Sequence, residues 1–343
     1  MKHATSKAFK IGIVGATGLV GETFLKILKP SPYNFSEIRL FASEKSKGKS
    51  VTFRDQQLTC EVLEEGCFDN LDVVFFSSGD GISKTWAPKA KESGAFAIDN
   101  SAAFRMNDNY PLVVPEINFD DINAENGPQI IANPNCSTIQ LVMVLNALKD
   151  LSTTEVRVAT YQSVSGAGKA GIQDLKNQTA DSLADRPYSE GTSFKKPIAF
   201  ECQPVIGSLN EEGFCSEEVK IVKETKKILN RPDLKVSAST VRVPTPNGHG
   251  ESLWVTFAEE VSSSQLYAAL EKAPYISVAP NSDPSFFHSY KGVTAESNAF
   301  VSRIRKDMDF PRTWMMWILA DNLYRGAASN GYLIAQRIFD KLS

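Results

Sequence analysis

Cys136 lies in the run IIANPNCSTIQLVMVLNAL, where an apolar, strand-like stretch breaks at Pro134 and a helical pattern begins just after the thiol. That spacing predicts a sulfur in the first turn of a buried helix, against backbone N–H groups and the positive end of the helix dipole. Such a setting favours the thiolate, the nucleophilic form. The flanking Asn133, Asn135, Ser137 and Thr138 are too polar for the dry pocket in which a cysteine serves as a small hydrophobe. Far downstream, VRVPTPNGHGESLWV sets His249 in a glycine-flanked bend between two strands. The expectation is an imidazole exposed at a strand edge, titrating near the operating pH and able to move a proton. A packed core histidine is the competing reading; His3 and His288 have no comparable setting. Gln162, closing the strand-like part of ATYQSVSGAG, is a neutral hydrogen-bonding group leading into a glycine turn.

A second chemical signal stands near the N-terminus. In FKIGIVGATGLVGETFLKIL, Gly15, Gly18 and Gly21 fall between an apolar strand and a helix. A dinucleotide site needs small residues there for a tight turn, close backbone approach to phosphate and close helix packing. The whole turn, Gly15, Ala16, Thr17, Gly18, Leu19, Val20 and Gly21, is therefore the expected phosphate cradle. NAD binders place an acid at the end of the second strand. Here IRLFA runs into Ser43-Glu44-Lys45-Ser46-Lys47, so Ser43, Lys45 and Ser46 stand where a 2′-phosphate would lie. That favours NADP over NAD provided Glu44 turns outward, with a plain solvated loop as the alternative. A nucleotide turn plus an activated cysteine points to covalent catalysis with a redox cofactor.

The elements that must position these groups form two patterns. From residue 8 to about 135, KIGIVG, IRLFA, DVVFFS, AFAID, PLVVP and QIIAN read as strands, and GLVGETFLKILK and ISKTWAPKAKES as helices. Near-continuous apolar strands alternating with helices indicate a parallel sheet covered on both faces. Beyond about 150 the strands TEVRVATYQSVS, KVSASTVRVP and GESLWVTFAEEV are longer and alternate, as in an antiparallel sheet, with the helix SEEVKIVKETKKILN between them. The expected fold is thus α/β: a Rossmann-like N-terminal domain plus an α+β catalytic and dimerisation domain with a mostly antiparallel sheet. The expected boundaries are 1–135 with a long returning C-terminal helix at 321–343, and 136–320 for the second domain. Residues 176–196 are polar and read as a mobile insertion or a partner-facing loop.

Composition narrows the classes. With 343 residues, 42% hydrophobic, the chain can bury two cores. A net charge of −3 without basic blocks gives no reason to expect nucleic acid. No run approaches a membrane span, and the start MKHATSKAFK lacks the apolar core of a secretory signal. Five cysteines, at 60, 67, 136, 202 and 215, lack paired zinc spacing, and three histidines make a metal site unexpected. Reduced thiols in the cytoplasm are the economical expectation.

Taken in order, GATGLVG, FASEKSKGK, IDNSAAFR, LVVPEIN, NPNCST, TYQSVSGAG, SEEVK, VRVP with NGH, and ADNLYRGAA resemble the aspartate-β-semialdehyde dehydrogenase family over nearly the whole chain. The resemblance implies NADPH-dependent, reversible conversion of L-4-aspartyl phosphate to L-aspartate 4-semialdehyde and inorganic phosphate through a cysteine thioester. It places that step in lysine, threonine, methionine and diaminopimelate biosynthesis. It also implies a homodimer built on the second domain. By resemblance Cys136 is the nucleophile, His249 the general acid/base, and Gln162 the residue that orients the intermediate. Arg105 and Lys220 are the phosphate cations, and Arg242 and Glu217 read the substrate carboxylate and amine. Ser165, Gly166, Asn322 and Gly326 are implied cofactor contacts. Gly250 stands where the family pattern leads one to expect serine, which suggests a more mobile loop.

Two other enzymes and one non-enzyme compete. An N-acetyl-γ-glutamyl-phosphate reductase would share the turn, cysteine and histidine, but has no use for the amine- and carboxylate-reading set in SEEVK and VRVP. Glyceraldehyde-3-phosphate dehydrogenase differs around the cysteine. A non-catalytic NADP-binding sensor would be expected to lose the nucleophile, and Cys136, Gln162 and His249 are all present.

Overall fold

The computed structural model describes residues 7–122 and 127–343, and His3 lies outside the described residues. The chain divides into two compact units, Met1–Pro134 with Ala327–Ser343, and Asn135–Gly326.

In the first unit the strands are β1 (Ala8–Val14), β2 (Asn34–Phe41), β3 (Ser50–Phe53), β4 (Gln56–Glu61), β5 (Val73–Phe76), β6 (Phe96–Asp99) and β7 (Ile130–Ala132). They form one sheet in the order β3-β4-β2-β1-β5-β6-β7. Every pairing is parallel except β3 with β4. Strands β5, β6 and β7 are buried at every position, as a sheet covered on both faces requires. The helices are α1 (Leu19–Leu28), α2 (Asp80–Glu92), the single turn α3 (Pro115–Asn118) and, from the end of the chain, the amphipathic helix Ser329–Leu342. That last helix returns Ile334, Ile338 and Phe339 to the core around Phe9, Phe24 and Phe75. Gly331 permits its close approach, since a Cβ there would stand 2.1 Å from the Phe75 ring.

The expected strand PLVVP is not one. Only Leu112 bridges to Ala132, because Pro111 contributes no amide donor and Pro115 starts α3.

In the second unit, β8 (Thr153–Gln162), β9 (Lys235–Arg242), β10 (His249–Phe257), β11 (Ile276–Val278), β12 (Ala299–Lys306) and β13 (Thr313–Ala320) order as β11-β12-β13-β10-β8-β9. The sheet is mixed: three pairings are antiparallel, and β8 with β9 and β11 with β12 are parallel. Helix α4 (Cys136–Ala147) is buried at nearly every position and packs on this sheet beside α6 (Ser216–Ile228) and α7 (Ser263–Lys272). Its lack of a polar face is what a helix enclosed on all sides requires.

Two further expectations are corrected. Residues 176–196 are not all loop: their first part belongs to α5 (Gly168–Leu183). The stretch after it is held by side chains of that helix. Asp181 accepts from Arg186 and the Ser189 amide, and Asp174 from the amides of Thr192 and Ser193. Nor does a single helix begin at 321. After β13 the chain makes a π-helical turn, Tyr324–Ala328, before α8 (Ser329–Leu342). The division between units accordingly falls after Gly326, not after 320.

Candidate active site

At the nucleotide end of the first unit, the turn after β1 has the shape of a cradle. Gly15 has φ +81°, and a Cβ there would stand 2.8 Å from the Ser77 carbonyl oxygen. A Cβ on Gly21 would come within 2.4 Å of the Gly15 oxygen, so α1 can begin hard against the turn only with glycine. The N-cap of α1 is Gly18, which supplies no side-chain acceptor. No capping side chain therefore competes for the first-turn amides, which leaves them available to an anion such as a pyrophosphate. At the end of β2, Ser43 precedes a short 3-10 turn, Glu44–Ser46. Lys45 is exposed and has no ion-pair partner among the described residues. Arg105, also in this unit, is buried, with Nε donating to the Asn133 carbonyl and Nη2 to the Asn100 carbonyl, both at 2.9 Å.

In the second unit, strand register assembles the rest. Gln162 on β8 pairs with Arg242 on β9 and with His249 on β10, so the three stand abreast on one face of the sheet. Cys136 is the first residue of α4 and is half-buried. Asn135 caps that helix: its Oδ1 accepts from the amides of Ser137 (3.0 Å) and Thr138 (3.3 Å). The Asn135 Nδ2 donates to Glu217 Oε1 at 2.7 Å, and its backbone amide donates to Glu224 Oε2 at 2.7 Å. Lys220, one turn along α6, pairs with Glu217 at 3.3 Å. Burial works to raise the Glu217 carboxyl, but Lys220, the Asn135 amide and Arg242 outweigh it and hold the group below its ordinary range. Arg242 is 8% exposed and donates from Nη1 to the Ser163 carbonyl at 2.8 Å. Burial lowers its affinity for a proton, while Glu217 and Cys136 act in the opposite sense.

His249 departs from the expectation of an exposed, freely titrating edge residue. It is fully buried, because β10 lies between β8 and β13. Burial first, and the Arg242 charge second, push its pKa down to about 3. Its Nδ1 accepts from the Ser163 amide at 3.1 Å, so the neutral ring carries its proton on Nε2. The Nε2 atom is buried and has no hydrogen-bond partner among the described residues. The cause of the misreading is long-range: flanking glycines are local, strand pairing is not.

The expected cofactor contacts of this unit turn out to frame that imidazole and the thiol. Asn322 Oδ1 accepts from Ser163 Oγ, Ser165 Oγ and the Gly248 amide. A Cβ on Gly166 would stand 2.7 Å from Arg242 Nη1 and 3.5 Å from His249 Nε2, and one on Gly326 2.8 Å from the Cys136 Cβ. Gly250 is not in a mobile loop; it is buried in β10, where the Trp317 ring fills the space of a side chain. Gln162 is buried, its Nε2 within 3.3 Å of Thr160 Oγ1. A cavity of about 790 Å³, bordered by Arg242, Ala167, Lys195, Lys196 and Cys202, opens beside this cluster. Sequence reasoning passed over Ser163 and the capping role of Asn135; an asparagine directly before a helix start was the available signal for the second.

Among the described residues no cluster could hold a metal ion, and no helix is long and apolar enough to cross a membrane.

Comparison with known proteins places this arrangement in context. Residues 10–125 match the semialdehyde dehydrogenase NAD-binding domain, and residues 145–325 match the semialdehyde dehydrogenase dimerisation domain. An aspartate-semialdehyde dehydrogenase of Aquifex aeolicus is 41% identical over 96% of this chain and 97% of its own length. One from Bacillus subtilis is 36% identical over 97% of this chain and 98% of its own. The crystal structure of aspartate semialdehyde dehydrogenase II of Vibrio cholerae, complexed with ASA, superposes with a TM-score of 0.93 at 38% identity, covering 98% of this chain and 99% of that one. The Candida albicans enzyme with NADP gives a TM-score of 0.76 at 25% identity, covering 97% and 99%.

Proposed function

This chain belongs to the aspartate-semialdehyde dehydrogenase family, enzymes of amino-acid biosynthesis, and from that premise we propose that it reduces L-4-aspartyl phosphate to L-aspartate 4-semialdehyde through a thioester on Cys136. The observation that carries the reading is the cluster at the start of α4. A cysteine in the first helical turn shares its surroundings with Arg242 and with Glu217, the latter hydrogen-bonded to the residue that caps the helix.

The Cys136 thiolate attacks the acyl carbon; a C–S bond forms, the C–O bond to phosphate breaks, and phosphate takes up one proton from solvent to leave as the hydrogenphosphate dianion. Arg242 presents a planar fork to the substrate α-carboxylate. Glu217, kept ionised, suits the α-ammonium. Lys220, and Arg105 in the first unit, are the cations assigned to phosphate. Gln162 stands beside His249 to orient the acyl group.

The glycine cradle fits a dinucleotide, held by residues 15–21, and Ser43, Lys45 and Ser46 favour NADP over NAD. When bound, the nicotinamide supplies the hydride that reduces the thioester carbonyl. His249, neutral, offers Nε2–H to that oxygen as negative charge builds on it. Collapse of the hemithioacetal oxyanion releases Cys136 as thiolate, so the reductive half needs no proton, and the one proton consumed overall is the one that the departing phosphate takes up. A buried neutral donor therefore suffices where a freely titrating acid/base had been expected. The match of residues 145–325 to a dimerisation domain supports a homodimer. The pathways served are those to lysine, threonine, methionine and diaminopimelate, in the cytoplasm.

The test is an assay of purified protein with L-aspartate 4-semialdehyde and phosphate, following NADP⁺ reduction beside an NAD⁺ control. Phosphate-dependent turnover that disappears in Cys136→Ala is expected. Turnover retained in that variant would sink the thioester route, and preference for an N-acylated substrate would reassign the site.

A further inference from the structure

Two buried polar side chains behind the nucleophile take no part in the chemistry above. Gln140 lies one helical turn after Cys136 on α4 and is 1% exposed. Its Nε2 donates to the His249 carbonyl at 3.2 Å, a bond from the helix of the nucleophile to the strand of the imidazole. Its Oε1 is buried and has no hydrogen-bond partner among the described residues. Two residues along β10 from His249, and so on the same face, stands Glu251. It is fully buried, in register with Thr160 and Ile318, and neither carboxyl oxygen has a hydrogen bond of standard geometry among the described residues. Gln140 lies close enough to act on the Glu251 carboxyl, in the lowering sense that burial outweighs, although no bond of standard geometry joins them.

An acceptor without a donor thus sits beside a buried carboxyl without a partner. Ionised, Glu251 could only accept, and Gln140 Oε1 would stay unsatisfied. Protonated, it carries the one O–H that the pair lacks. We propose that Glu251 is a positioning residue held in its acid form, its O–H donating to Gln140 Oε1 while Gln140 Nε2–H holds the His249 carbonyl. One neutral chain then sets the spacing between Cys136 and His249. Burial pushes the Glu251 carboxyl up to about 8, in keeping with an acid that stays protonated at neutral pH. The inference rests on the assignment of Cys136 and His249 to the reaction above.

Infrared difference spectroscopy of the full-length protein against Glu251→Gln at neutral pH reads the proton directly. A carbonyl-stretch band of a protonated, buried carboxyl is expected in the parent and absent from the variant. In Gln140→Met, where the acceptor is gone, that band should move to higher frequency. In turnover, Glu251→Gln keeps an N–H donor and should retain kcat. Glu251→Leu and Gln140→Met should each lose up to about a hundredfold in kcat with KM little changed, the scale of a small misplacement of reacting groups. Combining the two should cost no more than either alone. Melting temperatures identify any variant that fails to fold, and the band with its shift then decides. Absence of the acid band, or a Glu251→Gln variant as impaired as Glu251→Leu, overturns the proposal. Failure of the thioester reading would instead appear as turnover in Cys136→Ala and would leave the infrared band untouched.

Discussion

Asn135 and Glu217 are joined by a 2.7 Å hydrogen bond from the Asn135 side-chain amide to the Glu217 carboxylate. The same side chain caps α4 through its oxygen. One residue therefore fixes the helix start that presents Cys136 and the acid assigned to the substrate ammonium. Stability and substrate reading share a single side chain at this point.

Replacement of Asn135 separates the two roles. Asn135→Ala removes the cap and should cost about 1–2 kcal/mol in chemical denaturation, together with much of kcat. Asn135→Asp keeps an acceptor for the helix amides but sets a second negative charge against Glu217. It should keep the cap, lose stability to the buried like-charge pair, and raise KM for the amino-acid substrate. Equal KM in Asn135→Asp and the parent would show that Glu217 does not depend on this contact.

Gly326, expected to touch the cofactor, also lies hard against the thiol residue. A Cβ at this position would lie 2.8 Å from the Cys136 Cβ, closer than carbon atoms tolerate. Gly326→Ala should displace Cys136, seen as slower alkylation by iodoacetamide and a fall in kcat with NADPH affinity maintained. Unchanged alkylation with weakened NADPH binding would mean that Gly326 serves the cofactor and not the thiol.

The readable features of this molecule are those set by neighbours in sequence. The glycine turn, the break at Pro134 before Cys136, and the spacing of Glu217 and Lys220 on α6 all appear where local pattern puts them, the last pair joined at 3.3 Å. The row Arg242–Gln162–His249 depends on the register of three strands distant in sequence, which no local pattern encodes. The burial of His249 follows from the same pairing. The hairpin of β3 and β4 was passed over for another reason. Half of its strand residues are exposed, and its turn at Arg54 and Asp55 contains no glycine, with Arg54 itself taking φ 51°. Polar edge strands carry little of the alternation by which strands are recognised.

Gly250 offers a test of packing on the opposite face of the second sheet. A Cβ there would stand 2.3 Å from the Trp317 ring and 2.7 Å from Tyr290 Oη. Gly250→Ser should destabilise the fold by about 1–3 kcal/mol, the cost of overpacking a filled site. Trp317→Leu in the same chain should recover part of that loss by making room. A Gly250→Ser variant as stable as the parent in urea would mean that the Trp317 ring moves aside without penalty.

The last expectation concerns pH, where two buried groups on one strand act in opposite senses. His249 has its pKa pushed from 6.5 down to about 3, chiefly by burial. Between those values the unfolded chain binds a proton that the native ring refuses, so stability rises with pH up to 6.5 and is lost in acid. Glu251 is pushed from 4.5 up to about 8, again chiefly by burial. Between those values the native acid holds a proton that the unfolded chain releases, so stability falls as pH rises through that window. Each slope is at most about 1.4 kcal/mol per pH unit, one proton's worth. From pH 4.5 to 6.5 the two cancel; below it His249 dominates and above it Glu251 does. Glu251→Gln removes the second slope alone. Its stability relative to the parent should climb steadily from pH 4.5 to 8 and then level off, measured by urea denaturation at each pH. Parallel profiles for the two proteins would mean that Glu251 is ionised in the native state, and the neutral link between β10 and α4 would fall with it.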